Sequence, residues 1–126
     1  MKLILSLAAS IALISCASLA PPAARGTVDH IVLIWQKRPG NAADRHALLA
    51  ACADLRAIPG IKFLDAGTAL ASDRPIVDDS FDVGLTMRFD SVKSLRAYET
   101  DPRHLKKVNE VLKPLTKKIV VYDIVR

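Results

Sequence analysis

Chemistry-bearing motifs are scarce in this chain of 126 residues. It has no Gly-x-Gly-x-x-Gly, no phosphate loop and no Gly-x-Ser-x-Gly, which sets aside nucleotide binding on a glycine-rich turn and hydrolysis by an elbow serine. Histidine occurs three times, at His30, His46 and His104, and no two stand at His-x-His or His-x-x-x-His spacing. With only two cysteines, Cys16 and Cys52, the chain lacks the ligand pattern of a zinc or iron site and any axial-ligand pattern for a heme. We therefore expect neither metal nor cofactor. Charge of one sign is not in large excess: the formal net charge is +5, and the lysines and arginines are scattered. Scattered cations read as solvated helix faces, with no nucleic-acid partner implied. Hydrophobic runs are also short, and none reaches the roughly 20 residues that span a bilayer core.

What is present begins at the N-terminus. Lys2 is followed by apolar residues from Leu3 to Ile14, interrupted only at Ser6 and Ser10. A charged start and a short apolar stretch are the pattern of a secretory signal, residues 1–15. Its end, Leu13-Ile14-Ser15-Cys16, resembles the lipobox of bacterial lipoproteins, in which the cysteine carries the lipid and becomes the mature N-terminus. That resemblance implies lipidation of Cys16 and a protein held to the membrane in the cell envelope, on the periplasmic face. A cut after Ser18-Leu19-Ala20 also fits the small-x-small rule and would instead give a soluble secreted or periplasmic protein. Pro21, Pro22, Ala23, Ala24 and Gly26 make a non-helical tether within residues 16–26, and the folded domain covers 27–126. Losing residues 1–15, with Lys2, lowers the formal net charge from +5 to +4.

Hydrophobic periodicity organises the rest. "VDHIVLIWQ", Val28 to Gln36, is apolar on both faces and reads as a strand covered on both sides. "NAADRHALLAACADLRAI", Asn41 to Ile58, sets Leu48, Leu49, Cys52 and Leu55 in a helical stripe that Pro59-Gly60 stops. In "IKFLDAG" we expect Ile61, Phe63 and Asp65 to oppose Lys62, Leu64 and Ala66. In "SFDVGLTMRFD" Phe81, Val83, Leu85, Met87 and Phe89 should share one face. Ser91 opens a second helical region to about Thr100. Asp101-Pro102 punctuates it, and it resumes with Leu105, Val108, Leu112 and Leu115 on one side. "KIVVYDIV" closes as a strand. The order βαββαβ is that of an α+β, ferredoxin-like domain with both helices on one face of a four-stranded antiparallel sheet. A first strand apolar on both sides leaves a face that a second copy must bury, so a homodimer is expected.

"VDHIVLIWQ", "AIPGI", "SFDVGLTMRFDSVKSLRAYETDPRHLKKV" and "VVYDI", in that order across residues 28–124, resemble the stress-responsive α/β-barrel (Dabb) family. The most specific part is the phrase running from Phe89-Asp90-Ser91 through Tyr98 to Asp101-Pro102 and His104. The resemblance implies a dimeric α/β barrel with a pocket between sheet and helices that takes a small apolar ligand. By resemblance to plant polyketide cyclases of the olivetolic acid cyclase type, His30, Tyr98, His104 and Asp123 match the pocket pattern. His104 then corresponds to the base, and Tyr98 to the group that binds and polarises a substrate oxygen. The chain departs from the pattern at Asp101, where many relatives have histidine.

The residues themselves are consistent with those roles. Asp101 as N-cap with Pro102 at the first helical position is a favoured helix start, which puts His104 in the first turn. There the helix dipole disfavours imidazolium, leaving a neutral imidazole able to accept a proton. The break at Asp101-Pro102 lets Tyr98 and His104 converge, whereas one continuous helix would place them on different faces. Each also has a plainer reading. His104 would bond within its own turn, Tyr98 would be a core aromatic with a satisfied hydroxyl, and His30 would be a core histidine bonded across the sheet to Asp123. Cys52 reads as a small buried core residue, and His46, beside Asp44 and Arg45, as solvated. Two functions are thus open: a pocket that binds a small apolar molecule without turnover, or a cofactor-free acid–base enzyme of cyclase, isomerase or lyase type acting on a carbonyl compound through His104 and Tyr98.

Overall fold

The computed structural model describes residues 26–126. The signal segment 1–15, Cys16 and the tether up to residue 25 lie outside the described residues. The apolar alternations become β1 (Val28–Gln36), β2 (Ile61–Gly67), β3 (Val83–Phe89) and β4 (Thr116–Val125), joined antiparallel in the order β2-β3-β1-β4. Between them lie α1 (Ala42–Asp54) with a 3₁₀ turn (Leu55–Ala57), α2 (Val92–Glu99) and α3 (Pro102–Lys107). A π-helical turn (Val108–Leu112) and a last helical turn, α4 (Lys113–Leu115), then lead into β4. This is the βαββαβ arrangement expected from the sequence. No helix among the described residues is long and apolar enough to cross a membrane.

Local chemistry sets the boundaries. Asn41 caps α1 by accepting the Asp44 N–H at 2.9 Å, and Ser91 caps α2 by accepting the Ser94 N–H at 3.1 Å. After α1 the chain turns at Pro59-Gly60, where Gly60 has φ +91° and a Cβ would lie 2.7 Å from Ser94 Cβ. Glycine is needed there both for the left-handed backbone and for the approach of α2.

One sheet face carries the core. Val32 and Ile34 of β1, Val83, Leu85, Met87 and Phe89 of β3, and Leu64 of β2 are buried against Leu48 and Cys52 of α1, Leu55 of the 3₁₀ turn, and Leu95 and Tyr98 of α2. Each large apolar side chain so buried contributes about 1.5–3 kcal/mol. On the opposite face β1 directs Ile31 and Leu33 outward beside Tyr122 and Val120, their register partners on β4. Tyr122 and Ile124 there are 55% and 48% exposed.

Three expectations from periodicity are corrected. A register shift between Ile61 and Phe63 puts Ile61, opposite Phe89, with the core side and Phe63, opposite Arg88, on the outer face. Simple alternation through β2 therefore fails at its first residues. Phe81 precedes β3 and does not join its inner face: its ring meets Trp35 edge-on at 6.4 Å, over the space left by Gly84. Leu105 is 45% exposed. Helix α3 presents His104 and Lys107 inward instead, with Val108 following at the start of the π turn, and that turn resets the phase so that Leu112 is buried.

Candidate functional site

Between the sheet and α3 lies a cavity of about 380 Å³, within the range of small-molecule sites. Val32, Ile34 and Leu85 from the sheet, with Leu55, Val108 and Leu112 from the helices, make most of its wall apolar. Ile119 and Val121 of the edge strand β4 form its more open flank. The four residues expected in a pocket, His30, Tyr98, His104 and Asp123, all line it. Among the described residues no three His, Cys, Asp or Glu side chains gather so as to hold a metal ion.

His30 and Asp123 are direct register partners on β1 and β4. His30 Nδ1 and Asp123 Oδ1 are 2.6 Å apart, so the carboxylate accepts the Nδ1–H and leaves Nε2 as the second ring nitrogen of a buried imidazole. Tyr98, on the last turn of α2, is 2% exposed and packs edge-on to His30 at 5.9 Å and against Phe89 at 5.1 Å. Its hydroxyl makes none of the protein hydrogen bonds found among the described residues, and it is not sealed off from the cavity. Burial, with the Cys52 thiol nearby, pushes the Tyr98 phenol above its ordinary range, so it stays an O–H donor.

His104 sits where the Asp101–Pro102 start places it. Asp101 caps α3 by accepting the Arg103 N–H at 2.8 Å, and the Tyr98 and His104 rings lie 4.3 Å apart, tilted by 36°. The Glu99 carbonyl accepts a hydrogen bond from His104 Nδ1 at 3.2 Å. A carbonyl only accepts, so Nδ1 carries the proton and Nε2 keeps a free lone pair. The imidazole is held below its ordinary pKa mainly by burial, with the nearby His30 adding to the effect and the Glu99 bond opposing it. The neutral base anticipated from the helix dipole is therefore favoured first by desolvation. The tyrosine ring, which carries the donor, thus packs on the imidazole that carries the acceptor, and it also meets the His30 ring edge-on.

Other pocket features escaped the sequence reading. Cys52, expected in the core, is fully buried but also forms part of the cavity wall; burial pushes its thiol up to about 11. The Glu99 carbonyl orients His104 through the backbone. A signal for it existed, because the last carbonyls of any helix lack intrahelical partners and seek donors. His46 is exposed, as expected.

The family model of the Stress responsive A/B Barrel Domain (Dabb) matches residues 28–126. No curated protein sequence matches the chain. Solved structures do. A Dabb family protein with a ferredoxin-like fold from Mesorhizobium loti is 23% identical, with TM-score 0.66, over 81% of this chain and 98% of its own. A dimeric ferredoxin-like protein of unknown function from Bacteroides fragilis is 19% identical, with TM-score 0.65, over 81% and 98%. The hydroxynitrile lyase of Passiflora edulis is 25% identical, with TM-score 0.69, over 80% of this chain and 94% of its own.

Proposed function

The chain belongs to the stress responsive A/B barrel (Dabb) family, and from that premise we propose that its cavity binds a small, largely apolar carbonyl or hydroxyl compound and performs cofactor-free acid–base chemistry on it. The observation that carries this reading is the pairing of a protonated Tyr98 with an unprotonated His104 Nε2, rings 4.3 Å apart, in one mostly apolar cavity. A substrate oxygen placed between them receives the Tyr98 hydrogen bond as negative charge develops on it, while His104 takes a proton from the substrate and later returns it. His30, oriented by Asp123, supports the same end of the cavity. The Passiflora relative, named a hydroxynitrile lyase, makes a hydroxynitrile the first substrate to try.

The test incubates the protein with mandelonitrile and follows benzaldehyde release, alongside native mass spectrometry of molecules retained from the cell. Turnover or a retained carbonyl compound that is lost in His104→Ala supports the proposal. Retention undiminished in His104→Ala, with no turnover of the retained molecule, would mean a binding module and sink the acid–base reading.

Two further parts of this reading concern the setting. The apolar outer sheet face, carrying Ile31, Leu33, Phe63, Tyr122 and Ile124, is covered by a second copy of the chain, as the dimeric description of several structural neighbours suggests. Residues 1–15 direct export and Cys16 carries the lipid. Cys16→Ser should move the protein from the membrane to the soluble fraction, and unchanged membrane retention would refute the anchor.

A further inference from the structure

Helix α3 is a short segment between two irregular joints. On one side Asp101-Pro102 breaks it from α2, and Pro102 has no N–H to carry the helical ladder across. On the other side the ladder loosens into the π turn Val108–Leu112. A six-residue helix held this way depends on lateral ties for its rotation and height, and the rotation of α3 decides where His104 Nε2 points.

Those ties are specific. The Arg103 guanidinium turns back on the carboxylate that caps its own helix, with Nε donating to Asp101 Oδ1 at 2.9 Å and Nη2 to Oδ2 at 2.7 Å. Its remaining Nη1 donates to the Ala57 carbonyl at 3.2 Å. Ala57 ends the 3₁₀ turn after α1, so its carbonyl is one of the orphans of a helix end. Arg103 thus joins the start of α3 to the end of α1. Four residues on, Lys107 Nζ reaches Oδ2 of Asp54, the last residue of α1, a second tie from α3 to the same end of the first helical region. We propose that Asp101 and Arg103 are positioning residues that clamp α3 so that His104 keeps its Nδ1–H tautomer and directs Nε2 into the cavity. The proposal rests on the acid–base reading of the cavity, and it gives the clamp a role in geometry more than in stability. Arg103 is half exposed, and exposed ion pairs add only about 0–1 kcal/mol.

The groups facing His104 are His30 from β1, Asp123 from β4, Tyr98 and Glu99 from α2, Cys52 from the first helix, and Asp101 and Lys107 from its own segment. Their charges separate two ways in which the clamp could act. Through space alone, Arg103→Lys changes nothing, because the charge is kept, and Asp101→Asn lowers the His104 midpoint, because an anion that favours imidazolium is lost. If the fork matters, Arg103→Lys, which cannot bond both carboxylate oxygens and Ala57 at once, frees the ring.

The experiment is nitrogen-15 histidine NMR on the full-length protein in wild type, Arg103→Met, Arg103→Lys and Asp101→Asn. Wild type should show His104 in the Nδ1–H form with a midpoint below 6.5. All three variants should show loss of that tautomer in favour of a mixture, with the midpoint rising toward 6.5, and an unchanged His30 signal as internal control. Asp101→Asn keeps an N-cap side chain, so it reports even if the Arg103 variants fold poorly. A wild-type tautomer and midpoint in Arg103→Lys, or a downward shift in Asp101→Asn with the tautomer kept, would overturn the clamp. Neither readout needs turnover, so an inactive wild type refutes the acid–base reading alone.

Discussion

Replacing Tyr98 by phenylalanine separates a catalytic tyrosine from a structural one. The ring packs against Phe89 at 5.1 Å and His104 at 4.3 Å, and phenylalanine preserves both contacts. Tyr98 lines the cavity and its hydroxyl makes none of the protein hydrogen bonds found among the described residues, so its removal strands no partner among them. The expected stability cost is under about 0.5 kcal/mol, or less than roughly 4 °C in Tm for a domain of this size. A tyrosine bonded to a backbone group would behave differently, because leaving that group unsatisfied costs about 1–3 kcal/mol and lowers Tm by roughly 4 °C or more. On the functional side, loss of a neutral hydrogen bond to the ligand oxygen weakens binding by about 0.5–1.5 kcal/mol, roughly 2- to 13-fold. If the oxygen gains charge in the reaction, turnover falls about 10²–10³-fold. Thermal unfolding followed by circular dichroism, with binding and turnover of the retained ligand, reads both sides. A Tm drop beyond about 4 °C with intact turnover would refute the reasoning.

Activity should show an acid limb set by His104. Its folded value lies below the ordinary 6.5, so the base form predominates above pH 6.5, and the rate falls as pH drops through the folded value. The same depression means that the stability contributed by this imidazole is present above 6.5 and lost as pH falls through the folded value; an acid limb centred above 6.5 would contradict the assignment. No alkaline limb from Tyr98 is expected below pH 10, since burial raises it above the ordinary 10.0. Tyr122→Lys, at an outward position exposed in the single chain, should leave the monomer fold within about 0.5 kcal/mol yet shift light-scattering mass from dimer to monomer; a mass unaltered from a dimeric wild type would refute the proposed interface. Asp123→Asn should cost about 1 kcal/mol, a modest figure because the carboxylate is 37% exposed, and should release the Nδ1–H preference of His30 in NMR spectra.

The sheet was legible wherever a single rule governs several consecutive residues. Val83, Leu85, Met87 and Phe89 alternate without interruption because β3 is central and only one of its faces meets the core. The Asp101 cap was legible for a related reason: it acts on an N–H group two residues away, a range that a sequence displays directly. Errors gathered where two elements compete for one residue. Phe63 faces outward because a register shift at the β2 edge overrides alternation, and Phe81 leaves its expected face because Gly84 opens a space beside Trp35 that no period-2 rule can foresee. Leu105 yields the inner face to His104 because the proline-set start of α3 fixes the helix phase, and the π turn then absorbs the mismatch before Leu112.

The candidate site divides along the same line. Its side chains, His30, Tyr98, His104 and Asp123, were identifiable from position in strand, cap and turn together with the family pattern. The bond that turns His104 into an acceptor comes from the Glu99 backbone carbonyl, and carbonyls are identical in every residue, so only the fold reveals which one is used. The same holds for Arg103, whose sequence neighbours suggest a solvated cation on a basic helix. Its contact with Ala57 arises because α1 and α3 end and start beside one another, 46 residues apart in the chain. A substitution at Arg103 that preserves charge while losing the fork therefore asks whether the chemistry of this cavity resides in its lining alone or also in the backbone joints that aim it.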